Sequence, residues 1–343
     1  MTFIYYGIIG LVLIVVSGVY GFFLNRNKIY PYKLIKSIFR KIALRSSSTY
    51  GWALGVYKGV FPFGSSALIE IPAPVLTAPD VTDVTVTALA DPFIIRRGAG
   101  YYLFFEAMKA QDAQGVIALA ESRNGTDWKY RQVVLTEPFH LSYPYVFQWQ
   151  DEYYMVPESN EDYSVRLYRA TDFPTGWKFE RTLLQGYHFA DPSIIHYKGT
   201  WWMFVSTIAN DALNLYYADD LMGPWTQHPQ SPIVRKNRHI SRPAGRLLTV
   251  DGKLYRFAQD DVPSYGARVH AFEITTLTRS DYAEIPAFGG PVVKASGSGW
   301  NADAMHHVDA LALENGEWLA VVDGFREARA LTKLQSPGGN RQA

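Results

Sequence analysis

Carboxylate side chains recur along this chain at repeating positions. Asp91 and Asp191 each precede a proline and open an apolar segment, and Glu106 and Glu158 each follow an aromatic pair by four residues. Paired carboxyl groups serve as nucleophile or base and as acid when glycosidic bonds are cleaved or exchanged. A charge within an apolar strand is costly unless it is paired or used. We therefore predict carbohydrate chemistry, with Asp91, Asp191 and Glu158 as candidate catalytic residues and Glu106 as a substrate contact, although Asp before Pro also caps turns.

Cationic and aromatic side chains cluster around the same segments. The further candidate substrate contacts are His140, Tyr143, His188, Arg242, His307, Asp309 and Trp300. Arg242 has two possible roles, pairing with Asp91 or Asp191, or holding a phosphate through its forked donors. Tyr143 and Trp300 are expected at a rim, where they would stack on sugar rings. Neighbouring histidines on a strand point to opposite faces, so His306, His307 and Asp309 do not predict a metal site. We predict no metal and no cofactor.

Five similar segments must position these residues. They read ADPFIIRRGAGYYLFFEA from Ala90, SYPYVFQWQDEYYMVPES from Ser142, ADPSIIHYKGTWWMFVST from Ala190, SRPAGRLLTVDGKLYRFAQ from Ser241 and MHHVDALALENGEWLAVVD from Met305. A period of about 50 residues made of short strands is typical of a β-propeller with one four-stranded sheet per repeat. Three copies share one spacing between opening residue and aromatic pair, which disfavours unrelated hairpins. We predict an all-β fold, a five-bladed β-propeller. Near its central axis we expect the opening residues of the five segments to lie together: Asp91, Tyr143, Asp191, Arg242 and His307.

Composition excludes several other classes of function. The chain has 343 residues, of which 48% are apolar and 15% aromatic, with a formal net charge of +1. This balance gives no indication of nucleic-acid binding. The absence of cysteine excludes disulfides and thiol catalysis. No phosphate-binding loop, dinucleotide fingerprint or serine-hydrolase elbow occurs in the sequence.

The N-terminal region indicates a membrane association. No charged residue occurs from residue 3 to 24, which is long enough to cross a bilayer, and seven basic but no acidic residues follow between 26 and 45. This charge bias predicts a single-pass anchor with the propeller facing the cytoplasm, rather than an exported or cleaved form. Residues 32–44 form a basic amphipathic pattern, which would contact lipid or pack as a stalk helix. Membrane lipid is thus an expected partner of residues 3–45.

These patterns divide the chain into four parts. We predict an N-terminal transmembrane helix in residues 1–25, a basic juxtamembrane helix and hinge in 26–48, the propeller in 49–330 and a flexible tail in 331–343. Residues 51–63 and 67–77 read as extended segments that supply a closing strand to the last blade.

The repeats resemble the five-bladed propellers of glycoside hydrolase family 43 and its relatives. FHLSYPYVFQWQDEYYMVPES, followed by VRLYRA, is similar in addition to the propeller at the N-terminus of plant glucosamine inositolphosphorylceramide transferases and of bacterial envelope-polysaccharide proteins. The resemblance covers about residues 51–327. It implies that Asp91 is the base or nucleophile and that Asp191 orients. The acid of these hydrolases lies in a Glu-x-Pro step, where this chain has Ser241-Arg242-Pro243, so Glu158 replaces the acid or none is needed.

Together these features favour a membrane-anchored carbohydrate-active enzyme. The leading hypothesis is glycosyl transfer from an activated, phosphate-linked sugar donor to a glycolipid or envelope-polysaccharide precursor, with Arg242 and His307 on the leaving group. One alternative is a glycoside hydrolase of the family 43 type that uses Glu158 as acid. The second is a non-catalytic, glycan-binding propeller.

Overall fold

The chain folds as an all-β, five-bladed propeller. The computed structural model describes residues 51–60, 68–70 and 73–327. Blade one contains β3 (Val86–Arg97), β4 (Gly100–Lys109), β5 (Gly115–Ser122) and β6 (Lys129–Leu135). Blade two contains β7 (Ser142–Trp149), β8 (Glu152–Ser159), β9 (Ser164–Asp172) and β10 (Gly176–Gln185). Blade three contains β11 (Phe189–Tyr197), β12 (Thr200–Thr207), β13 (Ala212–Ala218), β14 (Thr226–Gln227) and β15 (Val234–Arg235).

The two remaining blades complete the ring. Blade four contains β16 (Arg242–Pro243), β17 (Leu248–Val250), β18 (Lys253–Asp260), β19 (Arg268–Leu277) and β20 (Tyr282–Lys294). Blade five contains β21 (Val308–Ala312), β22 (Trp318–Phe325), β1 (Trp52–Gly59) and β2 (Leu68–Glu70). Short 3-10 helices occupy Ala78–Asp80, Asn160–Asp162 and Gly299–Asn301. Each blade is antiparallel, with the first strand of its repeat at the axis.

Strand β1 closes the ring. It pairs antiparallel with β22, from Trp52 opposite Phe325 to Gly59 opposite Trp318, and β2 pairs with the outer side of β1. Blade five is therefore assembled from both ends of the propeller sequence, which confirms the predicted closing strand. Closure of this kind leaves no free inner edge that could pair with another chain.

A tryptophan recurs after the third strand of blades one to three and stabilises the turn before it. The indole N–H of Trp128 donates to Gly125 O at 3.1 Å, that of Trp177 to Pro174 O at 2.9 Å, and that of Trp225 to Leu221 O at 3.2 Å. The rings also pack between blades; Trp177, for example, contacts Phe104 of blade one edge-on at 5.5 Å. The sequence pattern around these tryptophans thus reports a shared turn geometry and an inter-blade core.

The opening residues of the first three blades have an unusual backbone. Asp91, Tyr143 and Asp191 adopt φ values of 52°, 46° and 50°, in the left-handed region. The ladder register shifts at the same points, as expected for β-bulges. Left-handed backbone is uncommon outside glycine and carries a cost of about 1–3 kcal/mol. Its recurrence in three blades shows that the repeat uses a bulge to set the direction of the opening side chain.

The predicted membrane segments lie outside the described residues. This holds for residues 1–25 and for the juxtamembrane region 26–48, and the whole predicted tail, 331–343, lies outside them as well. Among the residues that the structure describes, no helix is both long and apolar enough to cross a membrane. The four-part division of the chain stays a prediction.

Candidate active site

Tyr143 lies on the axis of the propeller and contacts a residue in each of the four other blades. Its hydroxyl accepts the Gly245 N–H at 2.7 Å and lies 2.7 Å from Ser193 Oγ. Its ring packs edge-on against Phe93 at 4.9 Å and His307 at 5.3 Å. The side chain is fully buried, and burial raises the pKa of its hydroxyl. The expected rim position is wrong: Tyr143 fills the axis and offers no face to a sugar.

We call the end of the axis where the inner strands begin the funnel. A first cluster of polar side chains at this end joins blades five and one. The backbone N–H of Asp91 donates to Asp323 Oδ2 at 3.1 Å. His306 lies between the two carboxyls, with Nδ1 2.8 Å from Asp323 Oδ2 and Nε2 3.5 Å from Asp91 Oδ1. Asp323 Oδ1 also accepts the backbone N–H groups of His306 and His307. The imidazole thus bridges two buried acids.

The electrostatics of this cluster follow from its burial. Burial raises the pKa of the Asp91 carboxyl well above its usual value; the His306 charge opposes that rise and the Asp191 charge adds to it. Burial alone would lower the pKa of His306, but the adjacent Asp323 carboxylate raises it to about 9. Burial also acts to raise the pKa of Asp323, and the His306 charge outweighs it and lowers that pKa. His306 is therefore an imidazolium at neutral pH, beside an acid that holds its proton unusually well.

A second cluster surrounds Asp191 and joins blades two, three and four. Arg242 grips this carboxylate with two prongs, Nε to Oδ2 at 2.5 Å and a terminal nitrogen to Oδ1 at 3.2 Å. Gln259 donates to Asp191 Oδ2 at 2.8 Å. Glu158 Oε2 accepts the Asp191 backbone N–H at 3.1 Å and a guanidinium N–H at 3.4 Å. Burial raises the pKa of Asp191, and the Arg242 charge opposes that rise.

The guanidinium of Arg242 is largely committed within the protein. Besides its three hydrogen bonds to Asp191 and Glu158, it donates to Asn210 Oδ1 at 3.0 Å. Of the two roles open at the sequence level, the structure shows pairing with Asp191. A guanidinium carries five N–H groups, so one remains for a further acceptor.

Glu106 and His140 form a third polar pair beside the funnel. His140 Nε2 lies 3.2 Å from Glu106 Oε1, while Nδ1 accepts the Gly115 N–H at 2.9 Å. The proton of the neutral ring is therefore on Nε2, directed at the carboxylate. Only glycine fits at position 115, because a Cβ there would approach Leu141 O to 2.2 Å.

His188 lies at the junction of blades two and three. Its Nδ1 is 2.9 Å from Asn160 O, and its ring packs on Tyr163 at 4.0 Å. Asn160 in turn donates to Glu158 Oε1. His188 therefore reaches the Asp191 cluster through Asn160.

Three predicted substrate contacts are buried in the structure. His307 lies beside Asp91, with Nδ1 3.7 Å from Asp91 Oδ1, but it is fully buried against Phe93, and burial lowers its pKa to about 3, so it supplies no positive charge. Asp309 is bound by Arg246 at 2.9 and 3.1 Å and by the Ile94 N–H. Both side chains, Asp309 on β21 and His307 directly before that strand, are buried, so neither prediction of a substrate contact holds.

Trp300 is also not at the rim. It is 9% exposed and packs against Gly55 and Gly324, where an added Cβ would come within 2.4 Å of the ring. The loop before it is bonded to the same segment, since Ser296 Oγ donates to Asn301 Oδ1 at 2.7 Å. Trp300 is therefore a core residue of blade five.

Comparison with known proteins assigns the family. Residues 45–325 match the family described as glucosamine inositolphosphorylceramide transferase 1, N-terminal. The chain belongs to this family. It is 37% identical over 298 residues to a rice protein (Oryza sativa subsp. japonica) named glucosamine inositolphosphorylceramide transferase 1, covering 80% of this chain and 40% of that protein. An Arabidopsis thaliana protein of the same name is 33% identical over 308 residues, covering 83% and 40%. This member of the glucosamine inositolphosphorylceramide transferase family thus spans 40% of the length of these relatives.

Solved structures share the propeller fold of this family member. An exo-β-1,3-galactanase from Clostridium thermocellum aligns with a TM-score of 0.53 and 13% identity, covering 63% of this chain and 52% of that one. An α-L-arabinofuranosidase from Podospora anserina aligns with a TM-score of 0.52 and 12% identity, covering 71% and 92%. At these identities the likeness establishes the fold alone, which agrees with the predicted resemblance.

Residues outside the predicted set complete these clusters. His306 and Asp323 form the first cluster; Asp323 follows Trp318 by five residues, close to the four-residue spacing of Glu106 and Glu158, which is its only signal in the sequence. Tyr265 packs on His306 at 5.2 Å and lies over the Arg242 guanidinium at 5.5 Å, with 43% of its surface exposed. Trp52 packs on the same imidazole at 4.3 Å. Nothing local in the sequence indicates these aromatic contacts, because the strands that carry them are distant in the chain.

Asp91, His306 and Asp323 also have metal-ligand atoms within 4.8 Å of one another. A histidine binds a metal only in its neutral form, so a metal ion here would compete with the proton that His306 shares with Asp323.

Proposed function

We propose that this propeller is a carbohydrate-active enzyme that transfers a glycosyl group at the funnel. The observation that carries the proposal is the Asp91 carboxyl, which is buried beside the His306 imidazolium and has a raised pKa. Perturbed, clustered ionisable groups are typical of sites that move protons. The names of the plant relatives support transfer as the reaction type.

In the proposed reaction, the ionised Asp91 carboxylate takes the proton of the acceptor hydroxyl. The acceptor oxygen then bonds to the anomeric carbon as the bond from that carbon to the leaving group breaks. A carboxylate whose pKa is raised is a stronger base when ionised. Asp191, held in place by Arg242 and Gln259, orients the donor or adjusts the pKa of Asp91.

The donor is proposed to be an activated, phosphate-linked sugar. Glu158 accepts N–H groups from Arg242, Asp191 and Asn160, so in this arrangement it presents no proton to a leaving group. A phosphate departs without protonation and gains from a nearby cation. His306 supplies that cation in place of His307. The proposed acceptor is a glycolipid or envelope-polysaccharide precursor, and the chain is proposed to be anchored in the membrane with the propeller in the cytoplasm.

A hydrolase is the second candidate. The protonated form of Asp91 could donate its proton to a glycosidic oxygen, as the acid of a glycosidase does. The solved structures that share the fold are named as glycosidases, and hydrolysis is therefore the second candidate reaction.

The test compares the full chain with Asp91→Asn and with the matched control Asp219→Asn, whose side chain is 80% exposed in a surface ion pair. Detergent-solubilised protein is assayed with nucleotide sugars and lipid acceptors. We expect Asp91→Asn to lose about 100-fold or more in transfer rate and Asp219→Asn to be unchanged. Full turnover by Asp91→Asn contradicts the assignment. Free sugar released from an aryl glycoside supports the hydrolase instead, and saturable glycan binding without turnover supports a binding propeller.

A further inference from the structure

Three loops are tied together beside Arg242 at the funnel mouth. They are residues 208–211 of blade three, residues 236–241 between blades three and four, and residues 261–267 of blade four. Ser241 Oγ donates to Asn210 O at 2.6 Å and Asn210 Nδ2 donates to Asp261 Oδ2 at 2.7 Å. The Asp261 N–H donates to Arg238 O at 3.0 Å. These bonds make the loops one connected surface.

Among the residues that the structure describes, three cations on this surface lack an ion-pair partner, against one acid, Asp211, that also lacks one. Arg235, Lys236 and Arg238 are exposed, and within the described part of the chain none of their side chains has an ion pair or hydrogen bond. Two other acids at these loops have partners of their own. Asp260 lies 2.9 Å from His239 Nδ1 and 3.3 Å from the Arg268 guanidinium, and Asp261 accepts from Asn210 and from the Gly266 N–H. Among the described residues, the Asp211 carboxylate accepts only the Thr207 hydroxyl, at 3.3 Å, so the exposed cations outnumber the free acid three to one.

Two large apolar side chains on the same loops are also exposed. Ile208 is 39% exposed at the tip of the blade-three hairpin, and Tyr265 is 43% exposed on the blade-four loop. We call Arg235, Lys236, Arg238, Ile208 and Tyr265 the basic rim. Exposed apolar residues beside a basic cluster mark an interaction surface.

We propose that the basic rim docks on an anionic lipid surface, so that the funnel opens toward lipid headgroups. Charge complementarity selects this partner: basic residues near an anionic leaflet are attracted to it, while neighbouring apolar side chains enter the headgroup boundary. The inference goes beyond glycosyl transfer, because it assigns a binding surface on the propeller itself. It is also separate from the anchor predicted for residues 3–24.

The absence of cysteine allows a direct test. In the full chain, Ile208→Cys is labelled with an environment-sensitive dye. The matched control is Ile285→Cys, at a 51% exposed position on the outer strand β20. Both are mixed with vesicles of phosphatidylcholine alone or with about 30 mol% phosphatidylglycerol. We expect a blue shift at position 208 on anionic vesicles only, and none at 285.

Charge removal tests the cause of the shift. The variant Arg235→Gln, Lys236→Gln, Arg238→Gln should lose the shift at 208, and so should high salt. A control with equal charge loss, Arg123→Gln, Lys129→Gln, Arg131→Gln, alters the β5–β6 end of blade one and should retain it. Equal shifts at 208 and 285, or a shift that survives rim neutralisation, overturns the proposal. A shift produced by inorganic phosphate without vesicles also overturns it and indicates a small-anion site. None of these readouts depends on transfer activity.

Discussion

Substitution Arg242→Met tests whether the Asp191 cluster holds the blades together. It removes a two-pronged grip on a fully buried carboxylate and leaves Asp191 next to Glu158 without a cation. Breaking a buried ion pair by removing one partner costs about 3–5 kcal/mol. The pKa of Asp191 is already raised by burial, and loss of the opposing Arg242 charge raises it further. An acid whose folded pKa lies above its unfolded value favours folding at low pH, and this contribution is lost as pH rises. The cost of the substitution should therefore be larger at about pH 8 than at about pH 5.

The assay is urea unfolding of the full chain at both pH values, followed by the fluorescence of its nine tryptophans. Arg279→Met is the matched control, because its partner Asp219 is 80% exposed, and a surface pair contributes about 0–1 kcal/mol. The double variant Arg242→Met, Asp191→Asn removes both charges. Its destabilisation should fall short of the sum of the single effects by about 2 kcal/mol or more, as expected for contacting residues.

A cost below about 1 kcal/mol for Arg242→Met at alkaline pH would refute this reasoning. So would a double variant whose cost equals the sum of the two singles. Either result would favour the other role predicted for Arg242 from the sequence, the binding of a phosphate. The structural pairing would then be no more than a weak contact.

Two further predictions concern the axis. The free energy of unfolding should fall by about 3 kcal/mol as the pH rises through the His306 pKa of about 9. A histidine whose folded pKa lies above its usual value stabilises the fold fully below about pH 6, and this contribution is lost when the ring is deprotonated. Urea titrations should show that His306→Gln removes this fall, whereas the exposed His239→Gln keeps it, and an equal fall in both variants would contradict the assignment. Tyr143→Phe leaves the Gly245 N–H without its acceptor, and thermal unfolding should report a cost of about 1–3 kcal/mol that the exposed Tyr187→Phe does not share.

The blades were predictable because each is built from hairpins whose signals are local. The equal spacing of Asp91, Tyr143 and Asp191 from their aromatic pairs matches three identical bulged openings. In the fourth repeat the Asp-Gly pair is a local turn signal of the same kind: Asp251 and Gly252 form a tight turn between β17 and β18, both with positive φ. Meeting of the opening residues at the axis follows from propeller geometry.

The chemical state of the site was not predictable, since it depends on burial and on partners from other blades. His307 was favoured over His306 because it aligned with the other opening residues. The fifth repeat lacks the X-Pro step and bulge, so its side-chain direction is displaced by one residue. His306 therefore lies between Asp91 and Asp323, and His307 is buried against Phe93 with Nδ1 3.7 Å from Asp91 Oδ1. Arg242 had two readings in sequence, and only the position of Asp191 decides between them.

The candidate catalytic groups also join the blades, which determines how their chemistry must be tested. Asp323 of blade five accepts the N–H that opens blade one, and Glu158 of blade two accepts the N–H that opens blade three. Asp91 likewise accepts the Tyr143 N–H of blade two at 3.3 Å. Alanine at any of these positions removes an acceptor from a buried N–H, so lost activity would not separate catalysis from folding. Asparagine at position 91 keeps an acceptor oxygen for Tyr143 and removes the ionisable proton. The decisive outcome is thus an Asp91→Asn chain that unfolds like the wild type and no longer transfers sugar.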